Sequence, residues 1–164
     1  GMHPANIGKI VFGKARVLPC TPAAVMELLK STDVDLYGKE VVVVGHSEIV
    51  GKPLALLLLE KFATVTVCHI GTSKAGKLEE HVKKAEVLIV AVGRAGLIKG
   101  EWIKDGAVGI DVGINRIGER IVGDVEFEEA QARASFITPV PGGVGPLTVT
   151  MLMKNVVEAF KLQN

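Results

Sequence analysis

The sequence predicts an α/β fold: a doubly wound, mostly parallel sheet with helices on both faces, built as a single domain over residues 1–164. Two observations carry this expectation. Short, continuous runs of β-branched residues alternate with helix-length segments, the order of βαβ units whose strands are covered on both faces. A chain of 164 residues, 48% hydrophobic and 23% charged, supplies one packed core and leaves little room for a second.

The elements follow in order from local chemistry. Thr21 as N-cap and Pro22 at the first helical position open a helix over residues 21–30, with Val25, Leu28 and Leu29 on one face. Residues 40–44, EVVVV, read as a strand buried on both sides. Residues 51–62 read as a helix in which Pro53 is tolerated only in the first turn. A second strand spans 63–68, a short polar loop 71–77, a helix 77–84 and a third strand 85–92. After a turn around Trp102, a fourth strand covers 107–112. A helix over 126–134, a brief fifth strand over 135–138 and a long helix over 147–162 complete the chain.

Composition excludes several function classes. Nineteen Lys plus Arg against eighteen Asp plus Glu give a net charge of +1, without the basic excess of a nucleic-acid binder. The longest apolar run, 54–59, is far below the roughly 20 residues of a membrane span, and the first residues lack the pattern of a signal peptide. Cys20 and Cys68 form neither a disulfide framework nor a metal-type spacing, so a reducing cytoplasm is expected.

Two stretches carry chemistry. The first strand runs into Gly45-His46-Ser47-Glu48-Ile49-Val50-Gly51 and then a helix. Strand, tight glycine turn and helix N-terminus together can cradle a pyrophosphate on backbone N–H groups. Ser47 replaces the middle glycine of the G-x-G-x-x-G fingerprint, so an ordinary strand-to-helix turn is the competing reading. The end of the second strand, Thr66 to Gly71, holds neither an acid for a ribose hydroxyl nor a base for a 2′-phosphate. The second stretch, Thr138-Pro139-Val140-Pro141-Gly142-Gly143-Val144-Gly145-Pro146-Leu147-Thr148, sets a rigid loop before the last helix, either for a ligand or for structure alone.

Together, LPCTP at 18–22, GHSEIVGKP at 45–53, ATVTVCH at 63–69, GAVGIDVGINR at 106–116 and ITPVPGGVGPLT at 137–148 resemble the bifunctional methylenetetrahydrofolate dehydrogenase/methenyltetrahydrofolate cyclohydrolase family, in family order. The resemblance implies a Rossmann-like NAD(P)-binding domain that serves oxidation of 5,10-methylene-tetrahydrofolate and hydrolysis of the methenyl product. It implies that Gly45, Ser47 and Ile49 follow the cofactor's pyrophosphate and ribose, with His46, His69 and Ile70 also on the cofactor. It places Val92 and Gly93 beside the adenosine half, and Gly113 and Ile114 by the nicotinamide. Pro141, Gly142, Gly145 and Thr148 fall at the junction with a tetrahydrofolate derivative. It also implies a homodimer through residues 117–125, where Arg120-Ile121-Val122 is strand-like and flanked by Gly118 and Gly123.

The sequence departs from that family in three places. His46 stands where the family carries an Arg, and Ile70 where it carries a Ser, both near the NADP 2′-phosphate. The exchange removes a bidentate cation and a hydroxyl, so NADP preference is expected to weaken in favour of NAD, with His69 beside the altered position. The family's Tyr-x-x-x-Lys catalytic lobe has no counterpart: Tyr37 is the sole tyrosine and Val41 follows four residues later. No catalytic residue is therefore assigned, and a separate catalytic lobe is an expected partner. Gly1 with Met2 reads as an expression scar before a native start, and the chain as either a short protein or an excised domain.

Three functions are compatible with these residues: the cofactor half of a folate enzyme, a non-catalytic dinucleotide or assembly module, and an oxidoreductase complete in this domain. The last lacks an acid/base pair. His3, His46, His69 and His81 have no ligand spacing, so no metal is expected. Cys68 reads as a small core residue, residues 79–84 as a solvated helix face and Trp102 as packing at the sheet edge, while Asp111, at a strand end, reads as a structural hydrogen-bonding group ahead of a catalytic one.

Overall fold

The computed structural model describes residues 1–163. In chain order the elements are α1 (Pro4–Val11), α2 (Cys20–Ser31), β1 (Glu40–Val44), α3 (Gly51–Leu59), β2 (Thr64–Cys68), α4 (Ile70–Lys74) and α5 (Leu78–Lys84). They continue with β3 (Val87–Val90), a 3-10 turn at Gly100–Trp102, β4 (Val108–Asp111), β5 (Asn115–Ile117), β6 (Arg120–Val122), α6 (Phe127–Arg133), β7 (Phe136–Ile137) and α7 (Val144–Gln163).

Five strands form one parallel sheet in the order β2-β1-β3-β4-β7. Alternate side chains of its central strands enter two cores. Val41, Val43, Val87, Ile89, Val108 and Ile110 pack under α2, α3 and α7, with Ala24, Val25, Leu29, Leu54, Leu58 and Met151. Val42, Val44, Leu88 and Val90 face the other way, onto Leu78, Val82, Ile98 and Ala130. This is why the strands read as unbroken apolar runs. The period of two is present, but both phases are buried. Each fully buried Val or Ile contributes about 1.5–3 kcal/mol.

The predicted α/β architecture is the one observed, with differences at the edges. α2 begins at Cys20 after Pro19, so Thr21 is inside the helix rather than its cap. α1 was not expected; His3 Nδ1 accepts the Ala5 amide at 3.2 Å and Pro4 occupies the first turn. Part of the expected polar loop is helical, because His69 Nδ1 accepts the Gly71 amide at 3.1 Å while Thr72 Oγ1 accepts the His69 amide at 3.2 Å, closing a capping box at α4. α3 ends at Leu59, short of residue 62, where Phe62 takes a φ of 58°. α7 begins at Val144 rather than Leu147, with Pro146 in its first turn.

Among the described residues no helix is long and apolar enough to cross a membrane. Cys68 is 1% exposed at the end of β2, and burial pushes its thiol up, as suits a core residue. Trp102 packs against the second core. Lys83 and Lys84 reach Glu79 and Glu80 across one turn of α5, each at 2.6 Å, on an exposed face.

Candidate dinucleotide site

The sheet reverses its winding between β1 and β3, since β2 lies outside β1 while β4 lies outside β3. At such a switch point the loops at the carboxyl ends diverge and leave a crevice. A cavity of about 340 Å³ lies there, lined by Gly45, His46 and Ser47 after β1, His69 and Ile70 after β2, and Val92 and Arg94 after β3, among others.

Backbone proximity shapes its floor. Gly45 holds φ at 121°, and a Cβ on it would lie 2.3 Å from the Ala91 carbonyl oxygen. A Cβ on Gly51 would lie 2.0 Å from the Gly45 carbonyl oxygen. Both positions are closed to any side chain, so β1, the turn and the start of α3 approach more closely than other residues permit. Ser47 Oγ accepts the Val50 amide at 3.1 Å and the Ser47 carbonyl accepts the Lys52 amide at 3.0 Å, tightening the turn ahead of the helix. The turn therefore keeps a glycine floor without the middle glycine of the usual fingerprint. α3 begins directly after this turn, so strand, glycine turn and helix N-terminus follow one another in the order that diphosphate sites use.

A second cavity, of about 170 Å³, lies at the carboxyl end of β4. Gly113 and Ile114 line it from one side, and Pro141, Gly142 and Gly145 from the loop before α7. Thr138 Oγ1 accepts the Asp111 amide at 2.8 Å and ties that loop to β4.

The structure thus gathers Gly45, His46, Ser47, His69, Ile70 and Val92 around one cavity, and Gly113, Ile114, Pro141, Gly142 and Gly145 around the other. Gly93 lies between two lining residues, and Ile49 is exposed in the turn before α3. Thr148 is set apart: its hydroxyl donates to the Val144 carbonyl at 3.1 Å and lies 3.4 Å from Thr21 Oγ1, joining α7 to α2.

Asp111 is 4% exposed. Its Oδ1 accepts the amides of Gly113 at 2.9 Å and Asp124 at 3.1 Å, and its Oδ2 that of Val125 at 2.9 Å. Burial pushes its carboxyl up, against the pull of the three amides. The expected structural role is the one its geometry shows. Two residues escaped the sequence reading. Arg94 lines the larger cavity just after Val92 and Gly93, and Asp124 is fully buried beneath that loop.

Fold, switch point and glycine turn define a dinucleotide-binding α/β domain. Residues 19–164 match the family model described as tetrahydrofolate dehydrogenase/cyclohydrolase, NAD(P)-binding domain, and the chain belongs to that family. It is 58% identical over 162 residues to the bifunctional protein FolD of Bacillus licheniformis, covering 98% of this chain and 56% of that protein. The FolD methylenetetrahydrofolate dehydrogenase/cyclohydrolase of Campylobacter jejuni superposes with a TM-score of 0.93 at 46% identity, over 99% of this chain and 57% of that one. The Trypanosoma brucei enzyme, solved with NADP and an inhibitor, gives 0.93 at 44%, again over 99% and 57%. The chain spans a little over half the length of these relatives.

Proposed function

We propose that this chain is the dinucleotide-binding half of a methylenetetrahydrofolate dehydrogenase/cyclohydrolase acting in the cytoplasm. The observation that carries the reading is the pair of cavities at the carboxyl ends of the sheet, one floored by the Gly45–Gly51 contact and one by the loop at 139–146. In this reading Gly45, Ser47 and Ile49 take the pyrophosphate and ribose, His46 and Ile70 lie toward the 2′ position, Val92 and Gly93 take the adenosine half, and Gly113 and Ile114 the nicotinamide. Pro141, Gly142 and Gly145 border the folate, and Thr148, outside the lining of that cavity, fixes the start of α7 against α2.

When bound, the nicotinamide supplies the hydride chemistry. The chain's own residues hold it in place and exclude water from its apolar second cavity, so their contribution is positioning. Cyclohydrolase chemistry needs the Tyr-x-x-x-Lys lobe, which residues 1–164 do not contain. His46 and Ile70, in place of a cation and a hydroxyl, support NAD over NADP. The same two residues also favour the second reading, a dinucleotide module without catalysis of its own.

The hairpin of β5 and β6 supports a homodimer. Arg120–Val122 pairs within the chain with Asn115–Ile117, leaving Ile117 59% and Ile121 46% exposed beside it. Sedimentation at micromolar concentration should give a dimer; a monomer there rejects this part. The functional test is dehydrogenase and cyclohydrolase assay with NAD and NADP, with and without a separately produced catalytic lobe of a relative. Saturable dinucleotide binding with turnover only on addition of the lobe supports the first reading. Binding without turnover in either case supports the second. Cyclohydrolase turnover by the chain alone overturns both.

A further inference from the structure

The segment after β3 forms one wall of the larger cavity, and a single side chain from elsewhere in the sequence holds it. Asp124, between β6 and α6, has no solvent exposure. Its Oδ2 accepts the amides of Val92 at 2.8 Å and Gly93 at 2.9 Å. Its Oδ1 accepts the Arg94 amide at 2.7 Å and the Asn115 side-chain amide at 2.8 Å. Every acceptor direction of the carboxylate is filled, and three successive backbone amides converge on it.

Asp124 is in turn set by Asp111, which accepts the Asp124 and Val125 amides. The two carboxylates lie against glycine backbone. A Cβ on Gly113 would sit 2.2 Å from Asp124 Cγ, and one on Gly123 would sit 2.0 Å from Asp111 Oδ2. The D-V-G at 111–113 and the G-D-V at 123–125 are thus complementary halves of one brace. The brace connects both cavities, since it fixes Gly113 in one and the 92–94 segment in the other. That segment carries Arg94, the one Asp, Glu, Lys or Arg among the described residues lining the larger cavity.

We propose that Asp124 is a positioning residue for the dinucleotide: it holds Val92, Gly93 and Arg94 in their ligand-receiving arrangement without touching the ligand. The inference rests on the dinucleotide reading of the cavity. An unbraced loop would be ordered only on binding, and that ordering would be subtracted from affinity; a braced loop is ordered beforehand.

Asp124→Asn keeps the shape but turns one acceptor oxygen into a donor group facing amide donors. NAD and NADP are titrated by calorimetry into the wild type, Asp124→Asn and the core variant Val25→Ala, at a temperature where all three are folded. Hydrogen exchange of the amides at 92, 93 and 94 is followed in parallel. The expected result is at least tenfold weaker binding of both dinucleotides by Asp124→Asn, with loss of protection at the three amides. Val25→Ala, at a similar loss of Tm, stays within twofold of the wild type. A purely structural role lowers Tm and leaves the affinity of the folded protein unchanged; that result overturns the proposal. Should Asp124→Asn fail to fold, Asp124→Glu, which keeps the charge but displaces it, is read by the same two outcomes. Wild-type protein that binds neither dinucleotide overturns the underlying reading, and this inference with it.

Discussion

The rings of His46 and His69 lie 5.1 Å apart, centroid to centroid, with their planes at 44°. They come from the ends of different strands and form one wall of the larger cavity, next to the exposed Ile70. His69 Nδ1 is engaged by the Gly71 amide, so its other nitrogen is the one open to a ligand. Neither ring offers the bidentate fork of a guanidinium. His46→Arg should raise affinity for NADP relative to NAD by roughly tenfold or more, the scale of one charge-assisted hydrogen bond. Parallel titration of both dinucleotides checks this; an unchanged ratio removes His46 from the selectivity argument.

Gly51→Ala tests the floor of the site. The new methyl would meet the Gly45 carbonyl oxygen at 2.0 Å, and what it meets is the main chain of residues 45 and 46, not a side chain that could swing away. Stability should fall by about 1–3 kcal/mol, as for overpacking, with weakened dinucleotide binding. Gly8→Ala is the matched control. Nothing lies within 4 Å of that position inside α1, so gain of helix propensity should stabilise by about 0.5–1 kcal/mol. Urea denaturation of the two variants should show opposite signs.

Lys39 Nζ lies 2.8 Å from Glu86 Oε1, and Glu86 Oε2 accepts the Glu40 amide at 3.1 Å. The hydrogen bond from Lys39, followed by the Glu40 amide, holds the Glu86 carboxyl below its ordinary value of 4.5. The same hydrogen bond, with Glu86's charge, raises Lys39 above 10.5. The lowered acid stabilises the fold above pH 4.5, and this contribution disappears as pH falls through the folded value. The raised base stabilises below pH 10.5, and its contribution disappears as pH climbs through the folded value. Glu86→Gln should therefore lower Tm modestly near pH 7, and the difference should vanish in acid below the folded value of Glu86. Because both side chains are partly exposed, added salt should shrink the effect. A Tm difference that persists in acid contradicts this account.

Along α7, Val149, Leu152, Met153, Val156, Val157 and Phe160 are all about half exposed or more, at spacings of three and four. Such a stripe suits a partner lobe. Val149→Lys with Val156→Glu should leave the unfolding free energy of this chain within about 0.5 kcal/mol, since neither site is in its core. The same pair should abolish dehydrogenase turnover reconstituted with a separate catalytic lobe. Undiminished reconstitution would place the lobe elsewhere.

Much of the fold was legible because strand and helix signals are local. Val41 to Val44 announce a strand by composition alone, and Pro22 and Pro53 sit where first turns accept them. The capping box of α4 was missed because it uses a histidine as its acceptor, a role usually taken by Ser, Thr, Asp or Asn. β5 was missed because three residues in a two-stranded hairpin leave no periodicity to read. Of the positions lining the larger cavity, Gly45, His46, Ser47, His69, Ile70 and Val92 follow from the turn after β1 and from family resemblance, and Arg94 from neither. Asp124 does not, because its partners at 92–94 lie about thirty residues upstream and contribute backbone amides, which leave no mark on side-chain identity. Its one trace in the sequence is indirect: Gly113 and Gly123, each required by the carboxylate opposite it.

β7 is two residues long and reaches only Val108 and Gly109 of its neighbour. Beyond that point β4 keeps β3 on one side but has no strand on the β7 side, where a threonine hydroxyl takes the amide of Asp111. Stopping the strand early turns the chain away from the sheet into the proline- and glycine-rich loop, and the gap so left is the smaller cavity. A longer β7 would make a tidier sheet and close that gap. The smaller of the two cavities is, in this sense, an unfinished edge of the sheet.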